Sequence, residues 1–214
     1  MSATITDLIV TGSYRQTSGT FYVPNSPSGE WPVANLALRS ARIYPVKLTD
    51  LVVHDAPQTR LPGTSAADDL GLYGATFGTD SMYAATYDVK AAGSLTLRAR
   101  CQMYLPAEYE AAAGVVIRCR AGMKTTAADV ACTLDVEAYR SDGEGGIGSD
   151  LCATSATSMN QTTDADRDFT ITPATLSAGD VLDVRFTIAV NDAATLTAVI
   201  AVIGKIALVC STRG

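Results

Sequence analysis

The fold class predicted for this 214-residue chain is all-β: two antiparallel sheets packed face to face, a jelly-roll-like sandwich with an extended N-terminal arm. Three observations carry it. Apolar and polar residues alternate with a period of two over four long segments. Turn-forming residues separate those segments. No stretch shows the apolar face of an amphipathic helix of ordinary length.

The alternation is read first in SLTLRARCQMY, where Leu95, Leu97, Ala99, Cys101 and Met103 interleave with Thr96, Arg98, Arg100, Gln102 and Tyr104. GVVIRCRAG repeats it with Val115, Ile117, Cys119 and Ala121 against Val116, Arg118 and Arg120. ACTLDVEAY sets Cys132, Leu134, Val136 and Ala138 against Thr133, Asp135, Glu137 and Tyr139. VLDVRFTIAV sets Leu182, Val184, Phe186, Ile188 and Val190 against Asp183, Arg185, Thr187 and Ala189. Successive side chains of a strand point to opposite faces, so each segment has one dry and one wet face. KLTDLVV (47–53) and DFTIT (168–172) read as shorter strands. Residues 195–210 read as a last strand, buried on both faces, with Gly204 as a bulge. Its apolar run LTAVIAVIGKIALVC is too short for a bilayer span and carries Lys205. PAEYEAAAG (106–114) has the composition of one or two helical turns ended by Gly114. About seven or eight half-buried strands must pair their dry faces, which a sandwich does.

The first 46 residues differ. Pro24, Pro27, Pro32 and Pro45 interrupt regular structure in a Ser- and Gly-rich segment that also holds Tyr14, Phe21, Tyr22 and Trp31. A free linker rarely carries so many aromatics. The expected organisation is therefore an arm over 1–46 that packs on its own domain, a neighbouring copy or a different protein, and a sandwich over 47–214.

Composition excludes several function classes. Apolar residues make up 47%, enough for a folded core. The net charge of −6 gives no phosphate-neutralising excess, so direct nucleic-acid binding is not expected. The five cysteines form no C-x-x-C pair, which argues for reduced, core-filling thiols. The start, MSATITDL, lacks the basic and apolar regions of a signal peptide, and synthesis in a reducing cytosol is the expectation.

Gly143-Glu144-Gly145-Gly146-Ile147-Gly148 spells G-x-G-x-x-G after a strand, but SDLCATSATSM downstream has no helical face to hold a pyrophosphate. A relaxed strand connection is the better reading, with no cofactor. Asp142, Glu144 and Asp150 fail the calcium-loop pattern, because its twelfth place is Ala153; a looser calcium site in 142–150 stays open. His54, the single histidine, stands at a strand end or turn and has no G-x-S-x-G partner motif. Asp68-Asp69 reads as a turn rather than half of an acid–base pair. No catalytic or metal site emerges, and an enzyme is not expected. Arg98, Arg100, Arg118 and Arg120 lie on wet phases; if their strands were neighbours they would form a basic patch for an acidic partner.

LPGTSAADDLGLYGATFGTD (61–80), the stretch from LPAEYEAAAG to SDGEGGIGSDLC (105–152), FTITPATLSAGDVLDVRFTIAVNDAAT (169–195) and IGKIALVCSTRG (203–214) resemble small virion proteins of tailed bacteriophages. That resemblance covers about 47–214 and implies a jelly-roll-like domain of the capsid decoration, or cement, type. It further implies a homotrimer on the capsid exterior, made in the host cytoplasm, with the major capsid protein as partner and neither cofactor nor membrane involved. The interface residues expected on composition and pattern are Tyr14, Phe21, Tyr22, Trp31, Arg98, Arg100, Arg118 and Arg120. The alternatives are another structural virion subunit, or a receptor- or glycan-binding sandwich of a tail or fibre, with Tyr73, Tyr83 and Tyr87 on a shallow groove.

Overall fold

The computed structural model describes residues 16–17, 20–22, 30–32 and 39–213, except 75, 91, 127–129, 142, 144–147 and 194–196. Two compact units divide the chain after Leu38. In the first, β1 (Gln16–Thr17), β2 (Thr20–Tyr22) and β3 (Glu30–Pro32) form a small antiparallel sheet in that order. Phe21 stands in register with Gln16 on one side and Trp31 on the other. The segment expected to be extended is thus partly paired with itself.

The second unit is a two-layer antiparallel β-sandwich. Its strands are β4 (Arg39–Val46), β5 (Gly71–Tyr73), β6 (Tyr83–Ala85), β7 (Gly93–Tyr104), β8 (Val115–Thr125), β9 (Ala131–Ser141), β10 (Thr157–Ser158), β11 (Ala165–Ile171), β12 (Val181–Asp192) and β13 (Ile200–Arg213). One sheet runs β10-β9-β12-β7; the other runs β11-β8-β13-β6-β5, with β4 also on β13. Set aside the short β5–β6 hairpin and eight strands remain. The first of these pairs with the last, β4 with β13, and the second with the seventh, β7 with β12. The third pairs with the sixth, β8 with β11, and the fourth with the fifth, β9 with β10. The chain is a long hairpin rolled up so that β13 also meets β8 and β12 meets β9. This wrapping is the jelly roll.

The four alternating segments become β7, β8, β9 and β12, with their apolar phases buried as their period requires. Leu97, Leu134, Phe186 and Ile188 from one layer and Ile117, Phe169 and Leu208 from the other belong to one continuous core. Large side chains removed from water this completely each contribute about 1.5–3 kcal/mol. The cysteines are free; burial pushes the Cys101 and Cys132 thiols up to about 12 and raises Cys119 as well. Their thiolates are suppressed at neutral pH, which fits packing rather than chemistry.

Several boundaries differ from the sequence reading. Arg39–Val46, assigned to the arm, is the first strand of the sandwich and pairs with Ile206–Arg213 along its full length. Pro45 is tolerated because β4 is an edge strand. Leu48–Asp50, read within a strand, is one 3₁₀ turn, and Val52 makes only isolated bridges to Arg60 and Arg100. Residues 106–114 form tight turns instead of helix, with Ala112 at φ 60°. The bulge at Gly204 is present: pairing passes from Ile203–Ala121 to Lys205–Arg120 and skips the glycine. Among the described residues, no helix is long and apolar enough to cross a membrane.

Candidate functional site

The outer face of the four-stranded sheet carries a connected set of ion pairs. Register places Arg185 of β12 opposite Glu137 of β9 and opposite Arg100 of β7. Arg100 grips Asp183 through Nε and Nη2, and its guanidinium is held charged by that pair. Arg185 donates from Nε to Glu137 Oε2 at 2.6 Å. Tyr139 donates its hydroxyl to the other oxygen of Glu137 at 3.3 Å. Desolvation, with Glu137 next, raises the Asp135 carboxyl on the same face.

The open side of β7 is covered by the chain between residues 52 and 70. Val52 exchanges backbone hydrogen bonds with Arg100, and Leu70 N donates to the Arg98 carbonyl. That covering brings His54 between two acids. Its Nε2 lies 3.4 Å from Asp68 Oδ2 and its Nδ1 lies 3.4 Å from Asp69 Oδ1. These three groups have ligating atoms within 4.8 Å of one another and are the set able to hold a cation among the described residues. Arg98 stands 3.6 Å from Asp68 and already supplies positive charge there. Sequence reading treated His54 and Asp68-Asp69 as separate turn residues. Their meeting depends on how residues 52–70 fold back on β7, which no local pattern announces.

The second surface is the β5–β6 hairpin. Tyr73 and Tyr83 face each other across it in register, with ring centroids 5.8 Å apart and planes 13° from parallel. Lys124 lies 5.2 Å over the Tyr83 ring and donates to its hydroxyl at 3.0 Å. Tyr73 accepts a hydrogen bond from Ser65 N at 2.9 Å. These two tyrosines therefore spend ring faces on each other and on Lys124, while Tyr87 is exposed. Gly71 is required here, since a Cβ would lie 2.3 Å from Ser65 N. Beyond the stack the hairpin tip exposes two large apolar side chains among polar ones. Phe77 is 102% exposed and Met82 47%, and both line an open groove of about 680 Å³ with Leu72 and Tyr73. Phe77 lies in the turn FGTDSM, whose local pattern does not distinguish an inward ring from an exposed one.

The expected arginines are not brought together. Arg98 and Arg100 belong to the four-stranded sheet, Arg118 and Arg120 to the other. Each also has a carboxylate: Asp68, Asp183, Asp168 and Asp166 respectively. The basic patch is replaced by neutral ladders, because β7 and β8, though consecutive, enter different layers. Phe21, Tyr22 and Trp31 are placed by backbone register alone, and Tyr14 lies outside the described residues. Most of the 142–150 loop, with Asp142 and Glu144, also lies outside them. Asp150 is described, and its Oδ1 accepts from Ala138 N and Cys152 N, both at 2.9 Å.

The Arg118–Asp168 pair yields a pH test. Both Asp168 oxygens accept from Arg118 at 2.6 Å, and that bonding, against desolvation, holds the carboxyl below its ordinary value. A depressed carboxyl stabilises the fold above its unfolded pKa of about 4, and the benefit is lost as pH falls through the folded value. Both partners are well exposed, so the effect is at most about 1 kcal/mol. Asp168→Asn should therefore lose up to about 1 kcal/mol at pH 7 in urea unfolding and nothing near pH 2. An equal loss at both pH values would contradict the assignment.

No family model matches the chain, and no curated protein matches it. Among solved structures, the CBM22-1 xylan-binding domain of Paenibacillus barcinonensis Xyn10C aligns with a TM-score of 0.37 and 11% identity, over 68% of this chain and 82% of that domain. A structure of the Gt strain of infectious bursal disease virus aligns at 0.32 and 13%, over 72% of this chain and 39% of that one. The VP2 subviral particle of the same virus aligns at 0.32 and 11%, over 94% and 43%. The chain thus spans about two fifths of the viral chains it aligns with. At this level of superposition, neither binding nor assembly transfers from those proteins to this one.

Proposed function

We propose that the protein is a non-enzymatic structural subunit of a tailed-bacteriophage virion: a capsid decoration protein that sits on the shell exterior, bridges major capsid protein subunits and acts as a trimer. The observation that carries this reading is the pair of exposed apolar side chains at the tip of the β5–β6 hairpin, Phe77 and Met82, which stand in water beside an open groove. Exposed apolar groups of this size gain free energy when a partner covers them. The sandwich beneath is a stiff support, with one continuous core and carboxylate partners for its outward arginines. A protein that binds only the assembled shell adds its binding energy to shell stability by mass action. Repetition over many copies turns modest contacts into high avidity. The resemblance of 47–214 to phage virion proteins supports the same reading.

Phe77→Asp/Met82→Asp should reduce co-sedimentation with undecorated capsids at least about tenfold, the loss of one apolar anchor, while circular dichroism and melting stay unchanged. Undiminished co-sedimentation would remove the hairpin from the interface. Light scattering on the purified protein tests the trimer. A deletion that probes the N-terminal unit must stop at residue 38, because residues 39–46 belong to the sandwich.

A further inference from the structure

The four-stranded sheet carries a second feature that shell binding does not use. Arg100 and Arg185 are direct cross-strand neighbours, an arrangement of like charges that ordinarily repels. Each is compensated by its own acid, Asp183 for Arg100 and Glu137 for Arg185. A guanidinium has five N–H donors in a fixed fork, and each arginine spends two of its groups on its acid. Nη1 of both remains, in a fork already fixed in place by the ion pair. Together with His54 and Tyr139 these groups line a pocket of about 210 Å³. On the other side of Arg100, Gln102 and Tyr104 line a groove of about 360 Å³.

We infer that this pocket binds one residue of a neutral sugar and that the adjoining groove extends the site to a short oligosaccharide. Charge selects the ligand class. An anion would meet Asp183 in the pocket, Glu137 behind Arg185, and Asp68 and Asp69 beside His54. A cation would find Asp183 and Glu137 already engaged by arginine. A polyol instead offers donors and acceptors at short spacing. Its hydroxyls accept from the remaining Nη1 groups and donate to a free lone pair of Asp183, hydrogen bonds strengthened by charge. The Tyr139 oxygen accepts as well, and the exposed Tyr104 ring gives a sugar face a flat apolar surface. Donors held in place by ion pairs lose little entropy on binding. This inference stands whether or not the hairpin docks on a capsid.

The test is an amide-resolved NMR titration of the full chain with glucose, galactose, mannose, xylose, N-acetylglucosamine and their β-linked trisaccharides. N-acetylneuraminic acid and glucose 6-phosphate serve as charged comparators. At least one neutral sugar should shift amides around Arg100, Tyr139 and Arg185, with the trisaccharide binding more tightly than the monosaccharide. Arg185→Met should weaken that sugar about tenfold or more, the loss of one charge-assisted hydrogen bond. Tyr139→Ala, a change on the same outer face, gives a second reading should Arg185→Met perturb the fold. Absence of shifts with every neutral sugar, binding of the charged comparators alone, or shifts confined to the Tyr73–Tyr83 hairpin would each overturn the inference.

Discussion

Replacing Phe186 by alanine is expected to destabilise the sandwich by about 3–5 kcal/mol, the usual cost of emptying a fully enclosed phenylalanine site. Phe186 is 0% exposed at the middle of β12. Its register neighbours are Ala99 on β7 and Val136 on β9, both smaller than the ring between them. The ring therefore fills interlayer space that its neighbours cannot reach, and the site has little to collapse with. A domain of this kind holds about 5–15 kcal/mol in total, so one substitution removes a large share. Urea unfolding followed by circular dichroism measures it. A shifted midpoint with unchanged slope is the expected form. Phe77→Ala serves as the control and should change stability by no more than about 0.5 kcal/mol, because that ring is fully exposed. A loss below about 1 kcal/mol at Phe186 would mean that the ring is not between the layers.

The second large effect concerns where the sandwich begins. A chain starting at Arg39 should fold with the cooperativity of the full chain, while one starting at Lys47 should not fold stably. The difference is β4, which covers Ile206–Arg213 of the central strand β13. Its side chains tie it down further: Ser40 meets Thr212 at 3.5 Å and the Tyr44 hydroxyl donates to Glu108 at 3.0 Å. Without β4 the outermost pair of the rolled hairpin is lost and β13 presents an open edge able to recruit other chains. Thermal unfolding and gel filtration of the two truncations decide the matter. Equal stability of the chain from Lys47 would show that β4 is an accessory strand.

The legibility of the fold in the sequence followed a physical divide. Burial in a half-exposed strand writes itself as alternation, so β7, β8, β9 and β12 could be read residue by residue with the correct inner faces. The Gly204 bulge was legible because a lone glycine in a long strand seldom has another purpose. β4 was hidden: RSARIYPV is an edge strand with exposed residues and a proline, and its partner lies at the opposite end of the chain. Pairing of this range has no local trace. The same reason explains the arginines. Their wet phase was visible at 98, 100, 118 and 120, but their sheets and carboxylates were set by topology. His54 meets Asp68 and Asp69 only after residues 52–70 fold along β7. The exposed Phe77 tip was overlooked for another reason: in a sequence, a lone aromatic in a turn looks the same whether it packs inward or stands in water.

A cryo-electron microscopy map of phage particles released by cells that make this chain tests the proposed role most directly. The expected map shows the eight-stranded sandwich in three copies on the outer surface of the shell, with the β5–β6 hairpin turned onto a boundary between capsid subunits. A particle without the molecule, or one with the sandwich seated only in the tail, would contradict it.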